Sequence, residues 1–468
     1  PYSIYHGIHQ LPGGQILTLS STEESPVLSA YWSAHDVAIR GLESRVQCSD
    51  EEVIHQLHEK LSEAVRLRMI ADVSLGAFLS GGIDSSAVVA LMQSQSSRPV
   101  KTFTIGFHED VYNEATHARK ISEYLGTDHT ELFVTAQDAM DVVPQLASMY
   151  DEPFADSSQI PTHLVAKLAR RHVTVALSGD GGDELFGGYS RYTFVNSLWN
   201  AIKNIPAPAA KVAAKLMHMA PAAMVDGVIG KFPLPERFRN SPGQKLHRLA
   251  DHLIAQDPVE IYLRAVSSWP DPSAIVPGSR EHTVVEQAIQ NFSAMPTAPE
   301  MAMLTDLCSY LPDDILVKLD RASMAVGLEA RVPVLDHRVV EFAWRLPLHF
   351  KVRNGKTKWA LRQLLYRFVP PELLERPKMG FGVPIDLWLR GPLRAWAEDL
   401  LAPESLGRHG FFAVKPIREK WEEHVSGARN WQYLLWPVLM FQAWIAHETP
   451  SGQHGENGSA LFPQRVTH

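Results

Sequence analysis

A chain of 468 residues is too long for one ordinary core, so two domains are expected. Hydrophobic content of 45% and charged content of 21% fit a soluble globular protein, and a net charge of -8 argues against a surface built to wrap nucleic acid. No apolar run reaches the roughly 18 residues that span a bilayer, so no membrane partner is expected, and two cysteines, Cys48 and Cys308, cannot make a disulfide framework, which favours a reducing, cytoplasmic setting.

The chain opens at Pro1, which suggests a processed or truncated piece of something longer. Residues 1–33 read as strand and turn: Pro12-Gly13-Gly14 marks a turn before the alternating Gln15-Ile16-Leu17-Thr18-Leu19. Residues 49–70 predict a helix, capped by Ser49 or Asp50, with Val53, Leu57, Leu61 and Val65 at helical spacing. Strands and helices then alternate. The apolar run Val73 to Leu79 is followed by a helix over 84–93, a β-rich run over 101–107 and a helix over 113–125. A strand over 130–134 precedes helices over 136–150 and 158–171, and a strand over 173–177 closes the series. This order predicts an α/β fold, a parallel sheet with helices on both faces. From about residue 194 to 442 the pattern is mostly helical and broken by prolines, and Thr449 to His468 reads as a disordered tail.

Two loops carry the chemistry. Leu79-Ser80-Gly81-Gly82-Ile83-Asp84-Ser85-Ser86 joins an apolar strand to a helix. Its glycines allow a sharp turn and close approach of a ligand, and the helix start offers free amides to an anion. No Lys follows the glycines, so this is not a Walker loop. The string matches the pyrophosphate loop of the ATP pyrophosphatases, a match that implies phosphate contacts and magnesium on Asp84. Ser178-Gly179-Asp180-Gly181-Gly182-Asp183-Glu184 ends the β-branched strand Val173 to Leu177. Three glycines and three carboxylates pack poorly but suit a loop that holds a metal and a polar ligand. Ser80, Ile105-Gly106 and Ser178 all fall at carboxyl ends of predicted strands, where ligands sit in open α/β sheets.

With both loops in view, the chain resembles the synthetase domain of glutamine-hydrolysing asparagine synthetases over about residues 50–445. Asp151-Glu152-Pro153-Phe154-Ala155-Asp156-Ser157-Ser158, Leu319-Asp320-Arg321-Ala322-Ser323-Met324, Glu329-Ala330-Arg331-Val332-Pro333 and Arg376-Pro377-Lys378-Met379-Gly380-Phe381 extend the match in one order. The resemblance implies an adenine nucleotide alpha hydrolase-like core over about 50–193 and a helical part over 194–445. ATP would bind at Leu79, Ser80, Gly81, Gly82, Asp84, Ser85, Ile105, Ser178 and Gly179. Mg2+ would lie on Asp84 and Asp183, and Asp180 and Lys378 would be catalytic. Asp180 stands where many members carry Glu. The implied reaction adenylates a carboxylate, aspartate in the family, and ammonia then displaces AMP to give an amide. Lys318 and Arg321, with Asp314 and Asp320 nearby in sequence, are candidates for the substrate side. Lys356 and Lys358 are read as phosphate contacts or surface charges.

Residues 1–33 resemble the closing strands of the family's N-terminal glutaminase domain, whose nucleophilic Cys has no counterpart near Pro1. That domain is the expected partner in the full-length protein, and a homodimer is possible. Two rival readings stand beside this one. A relative could apply the same adenylation to a β-lactam precursor, a peptide or a cell-surface polymer. A partner subunit could bind nucleotide without catalysis.

Overall fold

A computed structural model describes residues 3–21, 25–107, 114–221, 224–225, 227, 242–269, 271–279, 295–375 and 382–449. Residues Gln15–Thr18 (β1) and Val27–Ala30 (β2) pair antiparallel as an outlying hairpin. The central sheet has five strands: Leu75–Phe78 (β3), Lys101–Phe107 (β4), Asp128–Val134 (β5), Val175–Leu177 (β6) and Glu329–Arg331 (β7). Its order is β5-β4-β3-β6-β7, and every pairing is parallel.

Side chains alternate across a strand, and the core shows it. Val175 and Leu177 of β6 join one apolar cluster with Leu57, Leu61 and Val88, whereas Ala176 joins a second with Phe103, Ile105 and Leu164. Helices therefore cover both faces: Asp50–Arg68 and Ile83–Ser94 on one side, Gln159–Arg170 on the other. Ser49 caps the first of these by accepting from the amide of Glu52, as its sequence predicts. The chain after residue 194 is mostly helical, ending in Gln432–Glu448.

Two expectations change. The helix over 136–150 is instead three short pieces, Ala136–Met140, a 3-10 turn at Val143–Gln145 and Leu146–Met149. Pro144 lacks the amide a continuous helix needs and is the second residue of the turn. The fifth strand, β7, arises inside the region read as helical. The tail over 449–468 falls almost wholly outside the described residues.

Candidate active site

The strand order reverses at β3. The chain moves from β3 outward to β4 and β5, then returns to β6 on the other side. Loops leaving β3 and β6 open onto the same crevice, where ligands bind in such sheets. Ala77 of β3 lies opposite Leu177 of β6, so Ser80 and Ser178 leave neighbouring strand ends. Leu79 is buried and its amide donates to the Phe103 carbonyl, and the Ser178 amide donates to the Arg331 carbonyl at 2.8 Å. Leu79 and Ile105 are buried, which leaves their backbone groups rather than their side chains at these strand ends.

The first loop folds on itself. The Ser80 and Ser85 hydroxyls are 2.9 Å apart, and the Gly82 amide donates to Ser80 Oγ at 3.3 Å. Helix Ile83–Ser94 begins after Gly82 with no side-chain cap, a start of the kind that suits an anion. The second loop presses onto this helix start. A Cβ on Gly182 would lie 2.2 Å from Asp84 Oδ1, and one on Gly179 would lie 2.5 Å from the Ser85 amide nitrogen. Only glycine lets the two loops close this far.

Sequence reasoning undervalued Lys358. It is not a surface charge: it is 5% exposed, and its ammonium bridges Asp84 and Asp183, at 2.8 Å from Asp183 Oδ1. Burial pushes this ammonium down, but the two carboxylates outweigh burial and hold it well above the ordinary lysine value. The backbone of Lys358 is left-handed (φ 55°), and its amide donates to the Phe186 carbonyl at 3.1 Å. A Cβ on Gly188 would meet Lys358 Cε at 2.1 Å and Asp183 Oδ1 at 2.0 Å. One signal was present in the sequence: Lys358 caps the start of helix Trp359–Leu365, where the helix field disfavours a cation. Lys356, by contrast, is exposed and pairs with Glu375 at 3.4 Å. Lys378 lies outside the described residues.

Asp180 accepts a 2.5 Å hydrogen bond from the Ser178 hydroxyl. Burial raises its pKa above the usual carboxylate range. Glu184 is also buried, accepts from the Tyr189 hydroxyl at 2.8 Å and is pushed up to about 7, by burial first and then by Asp183. Lys318 does not pair with its sequence neighbours. It reaches Asp156 at 2.6 Å, and Arg321 reaches Asp151 at 2.5 Å. Asp156 also accepts from the amide and hydroxyl of Ser158, at 2.8 Å each. Asp314 belongs to the same wall. Burial and the charge of Asp156 push it up to about 7, and its Oδ1 is buried without a hydrogen-bond partner.

The N-terminal segment grips this wall from outside. The Ile4 amide donates to Glu152 Oε2 at 2.7 Å, Gln10 Nε2 donates to Glu152 Oε1 at 2.8 Å, and the Tyr5 hydroxyl donates to the Asp151 carbonyl at 2.8 Å.

Among the described residues no group of three or more His, Cys, Asp or Glu could hold a metal ion, and no helix is long and apolar enough to cross a membrane. Asp84 and Asp183 are two hard oxygen donors that already share one cation, a set suited to a magnesium ion that takes further oxygens from phosphates. Cys308 is pushed up to about 11 by burial, which makes it a poor nucleophile.

Comparison with known proteins agrees with this geometry. The asparagine synthase family model matches residues 56–446. A protein of Mycobacterium tuberculosis (strain ATCC 25618 / H37Rv) is 34% identical over 451 residues, which is 95% of this chain and 65% of the relative. Asparagine synthetase [glutamine-hydrolyzing] 1 of Bacillus subtilis is 30% identical over 414 residues, 85% of this chain and 60% of its own. More distantly, amidase chry2 of Gibberella zeae is 24% identical over 440 residues, 87% of this chain and 63% of its own. The chain thus spans less than two thirds of the length of these relatives. A parallel sheet that brings two glycine loops and a bridging lysine to one crevice, matched by the family model across most of the chain, identifies the protein as a member of the asparagine synthase family.

Proposed function

We propose that the chain is the ATP-using part of an amide-forming ligase. It adenylates a carboxylate, aspartate as the first choice, and ammonia derived from glutamine displaces AMP to give asparagine, AMP and pyrophosphate. The observation that carries this reading is the Lys358 ammonium held between Asp84 and Asp183 where the two loops meet.

Ser80, Gly81, Gly82 and Ser85, with the helix start that follows them, hold the outer phosphates through hydroxyls and amides. Leu79, Ile105, Ser178 and Gly179 line the adenosine through backbone groups. A magnesium ion on Asp84 and Asp183 would supply charge neutralisation for the phosphates. Lys358 supplies part of that charge from the protein and stabilises the leaving pyrophosphate. Lys378, a catalytic residue by the family resemblance, is taken to add to that charge. Asp180 sits against Ser178 on the acceptor side and orients the acid or its acyl-adenylate. Attack by ammonia releases a proton, and Asp314, held near neutrality, suits its removal. Residues 3–33 fit the closing strands of a glutaminase domain, in keeping with the half or greater exposure of Ile16, Val27 and Leu28. Adenylation of another acid by the same loops is the second reading, favoured by the amidase-named relative.

The test supplies the chain with magnesium-ATP, ammonium and aspartate and measures AMP and asparagine. Both products should appear, require aspartate and vanish in Asp84→Ala. AMP formed only with a different acid would select the second reading. Neither product with any acid, from a folded ATP-binding sample, would overturn the proposal.

A further inference from the structure

The helical region carries a surface that the ligase chemistry does not use. Helix Ala207–Met219 buries Ala210 and Ala214 and turns its other side to solvent. Val212, Leu216 and Met219 lie on that outer side and are 60%, 62% and 69% exposed. At about 100° per residue they form one stripe, and the exposed Lys211 and Lys215 flank it along one edge. Helix Pro242–Leu253 packs beside it: His247 Nε2 lies 2.9 Å from the Ala220 carbonyl, and His218 lies 3.0 Å from Asp251. This neighbour adds exposed Lys245, Arg248 and Leu249.

Charge separates this patch from the rest of the molecule. The two helices carry Lys211, Lys215, Lys245 and Arg248 against Asp251, a local charge of +3. The whole chain carries -8, so the remainder carries -11. A helix that shows an apolar stripe edged by lysines, on an otherwise acidic body, has the form of an element that lies in a lipid interface. Its lysines meet anionic headgroups while its apolar side chains enter the acyl boundary. The acidic remainder is repelled from the same surface, which fixes one orientation.

We propose that helix Ala207–Met219, with its neighbour Pro242–Leu253, docks the protein on an anionic lipid surface. This runs against the expectation that the chain has no membrane partner. That expectation rested on the lack of a spanning segment, and an interfacial helix needs none.

The test is co-sedimentation of the full chain with phosphatidylcholine vesicles, with and without about one third phosphatidylglycerol, at low and high salt. Binding should be at least about tenfold stronger to the anionic vesicles and should fall with salt. Leu216→Glu should abolish it, and the double variant Lys211→Glu, Lys215→Glu should weaken it at least about tenfold. The control Leu387→Glu, at another exposed apolar site, should bind as the parent does. An unchanged melting temperature and unchanged amide synthesis in solution would show that the variants are folded. Equal binding to both vesicle types, or binding that survives Leu216→Glu, would overturn the proposal. So would a chain that ignores vesicles but forms a dimer that Leu216→Glu dissociates.

Discussion

Lys358, itself buried, holds two carboxylates together in direct ion pairs. Removing the ammonium leaves Asp84 and Asp183 facing each other with their common neutraliser gone. Lys358→Met should therefore destabilise the protein by about 3–5 kcal/mol, read by denaturant unfolding. Added magnesium should restore part of that loss in Lys358→Met and much less in the parent, because the ion then replaces the missing cation. The same variant should lower AMP formation by at least about 100-fold, and Lys356→Met, which removes an exposed charge, should leave it nearly unchanged. Glu184 offers a separate test. Its folded pKa, about 7, is raised above the ordinary 4.5, so its contribution to stability is greatest below pH 4.5 and is lost as pH rises through 7. The full loss is on the order of 3 kcal/mol. Glu184→Gln should flatten the decline of melting temperature between about pH 5 and 8. A decline of unchanged slope would mean that another group causes it.

At the scale of elements, the two loops act as one part because glycine lets them. Gly182→Ala places a methyl group against the Asp84 carboxylate and should lower ATP-dependent AMP formation by at least about 100-fold while costing only about 1–3 kcal/mol of stability. Separate assays of turnover and unfolding check the two halves of that statement. Strands β3, β4, β5 and β6 were legible in the sequence because each is a β-rich run bounded by turn residues. Strand β7 was not. Glu329-Ala330-Arg331 has no strand pattern of its own and becomes a strand by lying beside β6, with Leu177 opposite Arg331. The glycines and carboxylates of both loops were legible because they cluster locally. The partnership of Lys358 with Asp84, 274 residues away, and of Lys318 with Asp156, 162 residues away, exists only once the sheet has formed.

At the scale of the molecule, the N-terminal segment and the Lys318 side of the crevice meet on one loop. Residues 151–158 carry Glu152 and Asp151, gripped by Ile4, Gln10 and Tyr5, and also Asp156, gripped by Lys318. Glu152→Ala releases two of those grips. It should raise the KM for the acid with a smaller effect on kcat, and it should increase hydrogen exchange at the amide of Ile4. A change in neither would show that the contacts are passive.

That shared loop has a thermodynamic meaning. If the acid binds beside Asp156, as proposed, its binding and the N-terminal contacts order the same eight residues, and whatever tightens one tightens the other by an equal factor. An acid settling beside Asp156 would quieten residues 4–10, and a partner that stiffens those residues would raise the apparent affinity for the acid. The segment thereby becomes a two-way gauge, and the hydrogen-exchange rate of a single amide, that of Ile4, would report how full the far side of the crevice is.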